Sequence, residues 1–278
     1  MAIPTSLLAD LEPGMIAVLG LPSDENSSFQ RGAAEAPFRI REILRSGATN
    51  WCTESGLDLG TEPSLIDLGD LDLGVGATAF LQIEEAVGKL LARGVKLLCL
   101  GGDHAITFPI IKAFAQQYDQ LNILQIDAHP DLYDEFEGNR QSHACAFARI
   151  MEARLATRLV QVGIRAATLH QLEQAERYGV EMNSMADWRP DLPLSFTGPL
   201  YLSLDMDALD PAFAPGVSHP EAGGLSTRDV IALIRRLKAP LVGADIVECN
   251  PERDEAGVTV AAAAKFLKEI AGLMIQQD

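Results

Sequence analysis

The chain has 278 residues, 47% hydrophobic and 22% charged, a balance that fits a folded globular protein and excludes a disordered or fibrous one. Its formal net charge of −17 repels nucleic acid and anionic membranes and favours small cations, so neither nucleic acid nor membrane is an expected partner. Cys52, Cys99, Cys145 and Cys249 form no CxxC pair, and the start MAIPTSLLADLEPG carries no basic segment followed by an apolar core; the expectation is reduced thiols in a cytoplasmic protein.

Taken in chain order, short runs rich in Val, Ile and Leu alternate with stretches of helical spacing. A strand is expected at 16–19, then a helix at 36–46 with Pro37 near its start and Gly47 after it. A strand at 65–68 precedes a helix at 78–92, and strands at 95–100, 123–126 and 159–162 follow. A weaker strand at 180–185 leads to one at 200–204, a helix at 227–237 opened by Ser226, a strand at 241–247 and an Ala-rich helix at 261–274. Near-continuous apolar strands indicate a parallel sheet buried on both faces. Strands alternating with helices imply right-handed crossovers and a three-layer α/β/α sandwich with about eight strands. No repeat, low-complexity stretch or linker divides the chain, so residues 1–278 read as a single domain.

Three of these strands end in groups that bind cations. LNILQI (121–126) runs into Asp127-x-His129-x-Asp131, where an extended chain would point residues i, i+2 and i+4 the same way. LYLSL (200–204) runs into Asp205-x-Asp207, and VKLLCL (95–100) into Gly-Gly-Asp103-His104. Buried carboxylates at strand ends are costly unless paired or metal-bound. A lone DxD is commonly an N-cap or turn, and a lone His a hydrogen-bonded structural residue. Three such clusters at the edge where α/β sheets collect ligands instead point to a metal site. Four carboxylates and two imidazoles exceed the needs of one zinc and suit two cations about 3.5–4 Å apart. An oxygen-rich set with some imidazole favours Mn²⁺, two per chain. The expected ligands are His104, Asp127, His129, Asp131, Asp205 and Asp207.

At these residues the chain resembles the ureohydrolases, the arginases and agmatinases. It carries GGDH at 101–104, DAHxD at 127–131 and SxDxDxxDP at 203–211. The likeness continues through NSSFQRGAAEAPFRIREIL (26–44), EGNRQSHACAFARIMEA (137–153), RLVQVGIR (158–165), FAPGVSHPEAGGLSTRDV (213–230) and GADIVECNPERD (243–254). It is nearest to plant-type arginases and bacterial agmatinase-like proteins.

The resemblance implies an arginase-like fold and two Mn²⁺ ions that activate water to convert a guanidinium group into urea and an amine. One ion would take His104, Asp127, Asp131 and Asp205; the other Asp127, His129, Asp205 and Asp207. His143 in QSHAC matches the family's proton-shuttling histidine, and Glu248 in DIVECNP the glutamate that binds guanidinium. With Asp131 these form the expected catalytic set. Glu248, His143 and His219 are the expected substrate contacts, His219 because it lies in a Gly/Pro-rich loop after the Asp205 strand. Cys145 and Cys249 are expected to be buried structural thiols, and His170 to lie on the surface. A homotrimer or homohexamer is also implied.

Substrate choice is read from departures. Animal-type arginases place an acid soon after the GxR segment and an asparagine after DAHPD; here GIRAATLH has no acid before Glu173, and Leu132 and Tyr133 follow DAHPD. With the amino-acid anchors missing, agmatine is the first expectation and L-arginine the alternative, since plant-type arginases share the departures. Another guanidino-acid hydrolase is a further alternative. A zinc deacetylase-like amide hydrolase would have no use for His104, and a non-catalytic relative should lack ligands that are all present.

Overall fold

The computed structural model describes residues 10–277. The apolar runs form eight strands: β1 (Ile16–Leu21), β2 (Leu65–Asp70), β3 (Lys96–Gly101), β4 (Asn122–Ile126), β5 (Arg158–Ile164), β6 (Glu181–Ser184), β7 (Leu200–Asp205) and β8 (Leu241–Val247). They pair in parallel throughout, in the order β2-β1-β3-β8-β7-β4-β5-β6. The weakest expected strand is β6, four residues long at one edge.

Among the described residues seven helices cover the sheet: α1 (Ala36–Arg45), α2 (Ala77–Leu91), α3 (Thr107–Gln117), α4 (Ala146–Glu152), α5 (Leu169–Tyr178), α6 (Thr227–Arg236) and α7 (Val258–Gln276). Alternation along β3 shows why there are three layers. Leu98 and Leu100 point into the core shared with α1, α6 and α7, whereas Leu97 and Cys99 point into the core shared with α2, α3 and α4. Among the described residues no helix is long and apolar enough to cross a membrane.

Helix starts follow cap chemistry. Ser226 and Asp229 close a capping box at α6, and Thr168 and Gln171 close one at α5. The final helix starts at Val258, three residues before the expected 261. Val258, Thr259 and Val260 are poor helix formers, but Thr259 and Val260 are buried and the Asp254 carboxylate accepts from Val260 N, so packing overrides propensity.

The sheet order positions the chemistry. β3, β8, β7 and β4 are consecutive neighbours at the centre of the sheet. Their register aligns Leu100 with Ile246, Ile246 with Leu204, and Leu204 with Ile126. Four strands therefore end level, and everything that follows each of them opens onto one spot.

Candidate active site

Each of the central strands contributes. After β3, Gly102 lies so close to Ser23 that an added Cβ would sit 1.9 Å from Ser23 O, which only glycine allows. Asp103 then caps a short 3-10 turn that begins at His104. After β7, Asp205 accepts from Asp207 N at 2.7 Å, capping a similar turn. The N-cap that DxD suggests is real, and the same turn presents both carboxylates to the cleft.

After β4 the chain does not stay extended as the i, i+2, i+4 spacing assumes. It bends at 128–129, and Asp131 takes a left-handed φ of 50°. A turn, rather than strand alternation, brings Asp131 back toward Asp127. The bend is held by Gln125, whose Nε2 donates to Asp127 Oδ2 at 2.7 Å and His129 O at 3.1 Å. Gln161 on β5 in turn donates to Gln125 Oε1 and Pro130 O.

The six expected ligands gather in two overlapping groups. His104 Nδ1 lies 3.1 Å from Asp127 Oδ2, 3.0 Å from Asp131 Oδ2 and 3.1 Å from Asp205 Oδ2. His129 Nδ1 lies 2.9 Å from Asp207 Oδ2 and 3.8 Å from Asp127 Oδ1. His104 Nδ1 is wholly buried, yet none of its three carboxylate neighbours meets it in hydrogen-bonding geometry. Three carboxylate oxygens converging on a buried ring nitrogen outside hydrogen-bonding geometry suit an arrangement of ligands around a cation. The donor set of carboxylate and imidazole fits two hard-to-borderline divalent ions, with Asp127 common to both groups.

Electrostatics give the same reading. Burial, then the neighbouring Asp207 and Asp131, pushes the Asp127 carboxyl up to about 7. Burial with Asp207 and Asp127 raises Asp205 well above the carboxylate range. Burial opposes charge on His104, but Asp127, Asp131 and Asp205 outweigh it and raise its pKa well above that of free imidazole. Without a counter-charge Asp127 and Asp205 resist ionising; two divalent cations would remove that cost.

Behind the ligands lies a hydrogen-bonded support. His104 Nε2 pairs with Ser203 Oγ at 2.8 Å, and Ser203 donates to Asp245 Oδ1 at 2.6 Å. Asp245 Oδ2 also accepts from Tyr201 and Thr107, each at 2.8 Å. Such a chain fixes the tautomer and aim of a ligating imidazole. Asp245 was not singled out in the sequence; the signal was an acid inside the otherwise apolar run 241–247.

Above the ligands, Glu248 and His143 form a second tier. Glu248 follows β8, has a left-handed φ of 60° and is 3% exposed. Its Oε1 accepts from His104 N at 2.8 Å and pairs with His143 Nδ1 at 2.9 Å, while the buried Oε2 has no partner. Burial opposes charge on His143, but Glu248 outweighs it and raises the imidazole to about 9. Ser28, unnoticed in NSSF, bridges His143 Nε2 at 2.9 Å and His219 Nε2 at 3.3 Å. Burial and the nearby His143 lower the pKa of His219.

The resulting cleft, about 160 Å³, is floored by His129, Asp131, Asp205 and Asp207 and rimmed by Ser28, His143, His219, Tyr133, Phe136, Ala166 and Gln171. Tyr133 stacks on His170, ring centroids 5.8 Å apart, so that exposed histidine props a rim residue. Cys145 and Cys249 are buried, and burial raises both thiol pKa values, Cys145 to about 12, far from a reactive thiolate.

Comparison with known proteins gives a consistent picture. The family model described as Arginase family matches residues 15–272. Arginase 1, mitochondrial, of Arabidopsis thaliana is 45% identical, over 92% of this chain and 80% of that protein. The agmatinase of Bacillus anthracis is 34% identical, over 93% of this chain and 91% of that one. The arginase structure from Medicago truncatula superposes with a TM-score of 0.90 at 41% identity, covering 97% of this chain and 91% of that chain. The cytoplasmic expectation is corrected by these relatives. The similar arginases of Arabidopsis thaliana and rice are mitochondrial or chloroplastic by name, against a cytoplasmic reading. Unpaired thiols report a reducing interior, not an address within the cell.

Proposed function

The chain belongs to the arginase family, hydrolases of guanidino compounds, and within it we propose that the reaction is hydrolysis of L-arginine to L-ornithine and urea. The observation that carries this choice is the 45% identity to a plant arginase against 34% to an agmatinase, at near-equal coverage of this chain. It reverses the order expected from the missing animal-type anchors. The plant-type arginases lack those anchors too, so their absence does not disfavour arginine.

His104, Asp127, Asp131 and Asp205 would hold one divalent cation, and Asp127, His129, Asp205 and Asp207 the other, with Mn²⁺ the preferred ion. When bound, the pair supplies Lewis-acid activation of a water molecule at neutral pH. The chain's own groups then do the rest. The unpartnered Glu248 Oε2 accepts from the guanidinium, with Oε1 held by His104 N and His143 so that the carboxylate cannot swing away. Asp131 lines the cleft below His143 and orients the water that attacks the guanidinium carbon. His143, charged beside Glu248, gives its proton to the departing δ-amine as urea forms. His219, sharing Ser28 with His143, borders the substrate's path. The same reading includes a homotrimer or homohexamer, which sedimentation velocity of the purified chain checks.

Urea release by Mn²⁺-loaded enzyme, measured in parallel with L-arginine and agmatine, tests the proposal. A higher kcat/KM for L-arginine is expected; a higher one for agmatine overturns it. Metal analysis separates the reading from a one-zinc amide hydrolase: two Mn²⁺ per active chain are expected.

A further inference from the structure

Among the described residues that line the cleft, Gln171 is nearly buried and its amide donor is unused. Gln171 is 2% exposed and lines the cleft beside Tyr133 and Ala166. Its Oε1 accepts from Thr168 N at 3.1 Å and Thr168 Oγ1 at 3.2 Å. A backbone N–H can only donate, so the atom facing Thr168 is the oxygen and the amide orientation is fixed. The Nε2 hydrogens are left with no partner among the described residues. Both ring nitrogens of His143, the other buried donor at the rim, are engaged by Glu248 and Ser28.

We propose that Gln171 Nε2 binds the α-carboxylate of the substrate and is the residue that selects a guanidino carboxylic acid over the corresponding decarboxylated amine. An uncommitted N–H₂ on a nearly buried cleft residue, held rigid by a helix cap, is a preorganised site for an anion. Arginine and agmatine differ by just this carboxylate; both keep the amine. The carboxylates facing the cleft are Asp131, Asp205 and Asp207, which belong to the metal floor. Nearby Asp134 is taken up by Arg140 and Arg149. The rim thus offers a donor for the group that agmatine lacks. Gln171 lies in the segment after GxR where the sequence shows no acid, and its amide gives that segment an opposite kind of anchor. The inference rests on the arginine reading above for the identity of its substrate.

The test uses the Mn²⁺-loaded full chain as wild type, Gln171→Glu and Gln171→Met, with L-arginine and agmatine assayed separately for urea. Glu keeps an oxygen for Thr168 N, so the cap survives while the donor becomes a carboxylate. The ratio of kcat/KM for arginine to that for agmatine is expected to fall from wild type to Gln171→Met and further to Gln171→Glu. Loss of one hydrogen bond to a charged group corresponds to about tenfold to hundredfold, and it should reside in KM for arginine. Parallel losses on both substrates, with the ratio unchanged, would reduce Gln171 to a helix cap and overturn the proposal. If Gln171→Glu does not fold, judged by its thermal melt, the ratio in Gln171→Met decides. Wild-type preference for agmatine would sink the arginine reading alone, because the shift in ratio still reports whether Gln171 senses the carboxylate.

Discussion

At the floor of the cleft, the functional groups stand at or just after the ends of strands that are buried on both faces; at the rim, they sit on loops or helix starts, some buried like His143 and Gln171 and others half-open like Tyr133, Phe136 and His219. His104, Asp127, Asp205 and Asp207 are almost wholly buried and held by Ser203, Gln125 and backbone amides. Tyr133, Phe136 and His219 are half-buried and make ring contacts at about 5–6 Å, Tyr133 with Phe136 and His170, and His219 with His143. The difference assigns different work. A floor fixed by hydrogen bonds can carry a reaction common to a family, while a rim fixed by weaker contacts can change its substrate without disturbing the metals.

The sharpest way to break this division is at the floor. Asp205→Asn removes a carboxylate that lies near both His104 and Asp207. It should cost several kcal/mol of transition-state stabilisation, about a thousandfold in kcat, with arginine and agmatine affected alike. Removing the metals with chelator tests the same region through stability. Occupancy at a hundred times Kd contributes about 2.7 kcal/mol, so the thermal midpoint should fall by roughly 5–10 °C. An unchanged melt after chelation would mean that the floor carboxylates are paid for by protein groups alone.

A step smaller is Asp245→Asn, which leaves every ligand in place. One carboxylate oxygen becomes an N–H₂, so either Ser203 or the Tyr201 and Thr107 pair loses its acceptor. Metal affinity should weaken about tenfold to hundredfold. Competition against a metallochromic chelator measures it, and an unaltered affinity would show that Ser203 alone aims His104.

The same division explains what could be read from the sequence. The strands, the sandwich and the six floor residues were legible because buried strands leave long apolar runs and acids at their ends stand out. The sheet order was not, since nothing local states that β8 lies between β3 and β7. That order is what brings Glu248 beside His104 across 144 positions of sequence. Asp131 reaches His104 by a turn that the i, i+2, i+4 spacing does not foresee, because a positive φ at an aspartate leaves no periodic trace. Helices α3 and α4 have no counterpart among the expected elements, as their apolar faces merge with the buried turns at His104 and His143 that precede them, and α5 shows only as a polar, helix-like stretch around His170. Ser28, Arg165 and Gln171 stand in loops or caps, where composition does not reveal which group a side chain will meet.

Arg165 is the joint between the two regions, and cutting it tests how far they are independent. Its guanidinium donates to Asp207 O at 2.7 Å and Leu209 O at 3.1 Å on the floor side, and to Glu221 O at 2.7 Å on the rim loop that carries His219. Arg165→Met should destabilise the fold by about 2–3 kcal/mol, since several bonds to one cation are lost but the carbonyls regain water. That corresponds to a drop of roughly 4–10 °C in thermal midpoint. The kinetic signature matters more: KM should rise further than kcat falls. Equal effects would show that the loop at 214–224 and the Asp207 turn move as one body.

The smallest expected effect belongs to His170→Ala. His170 is exposed at the start of α5, stacks on Tyr133 with rings 14° from parallel, and its Nε2 accepts from Asp134 N at 3.3 Å. Alanine removes a stacking contact of about 0.5–1.5 kcal/mol and frees the 132–136 segment to sample other positions. It touches no floor residue, so kcat at saturating substrate should stay near wild type and metal content should not change. KM should rise about twofold to tenfold, by the fraction of time Tyr133 no longer borders the cleft. A fall in kcat instead would show that Tyr133 helps to seat Asp131 two residues before it, and the line between floor and rim would have to be drawn further out along this loop.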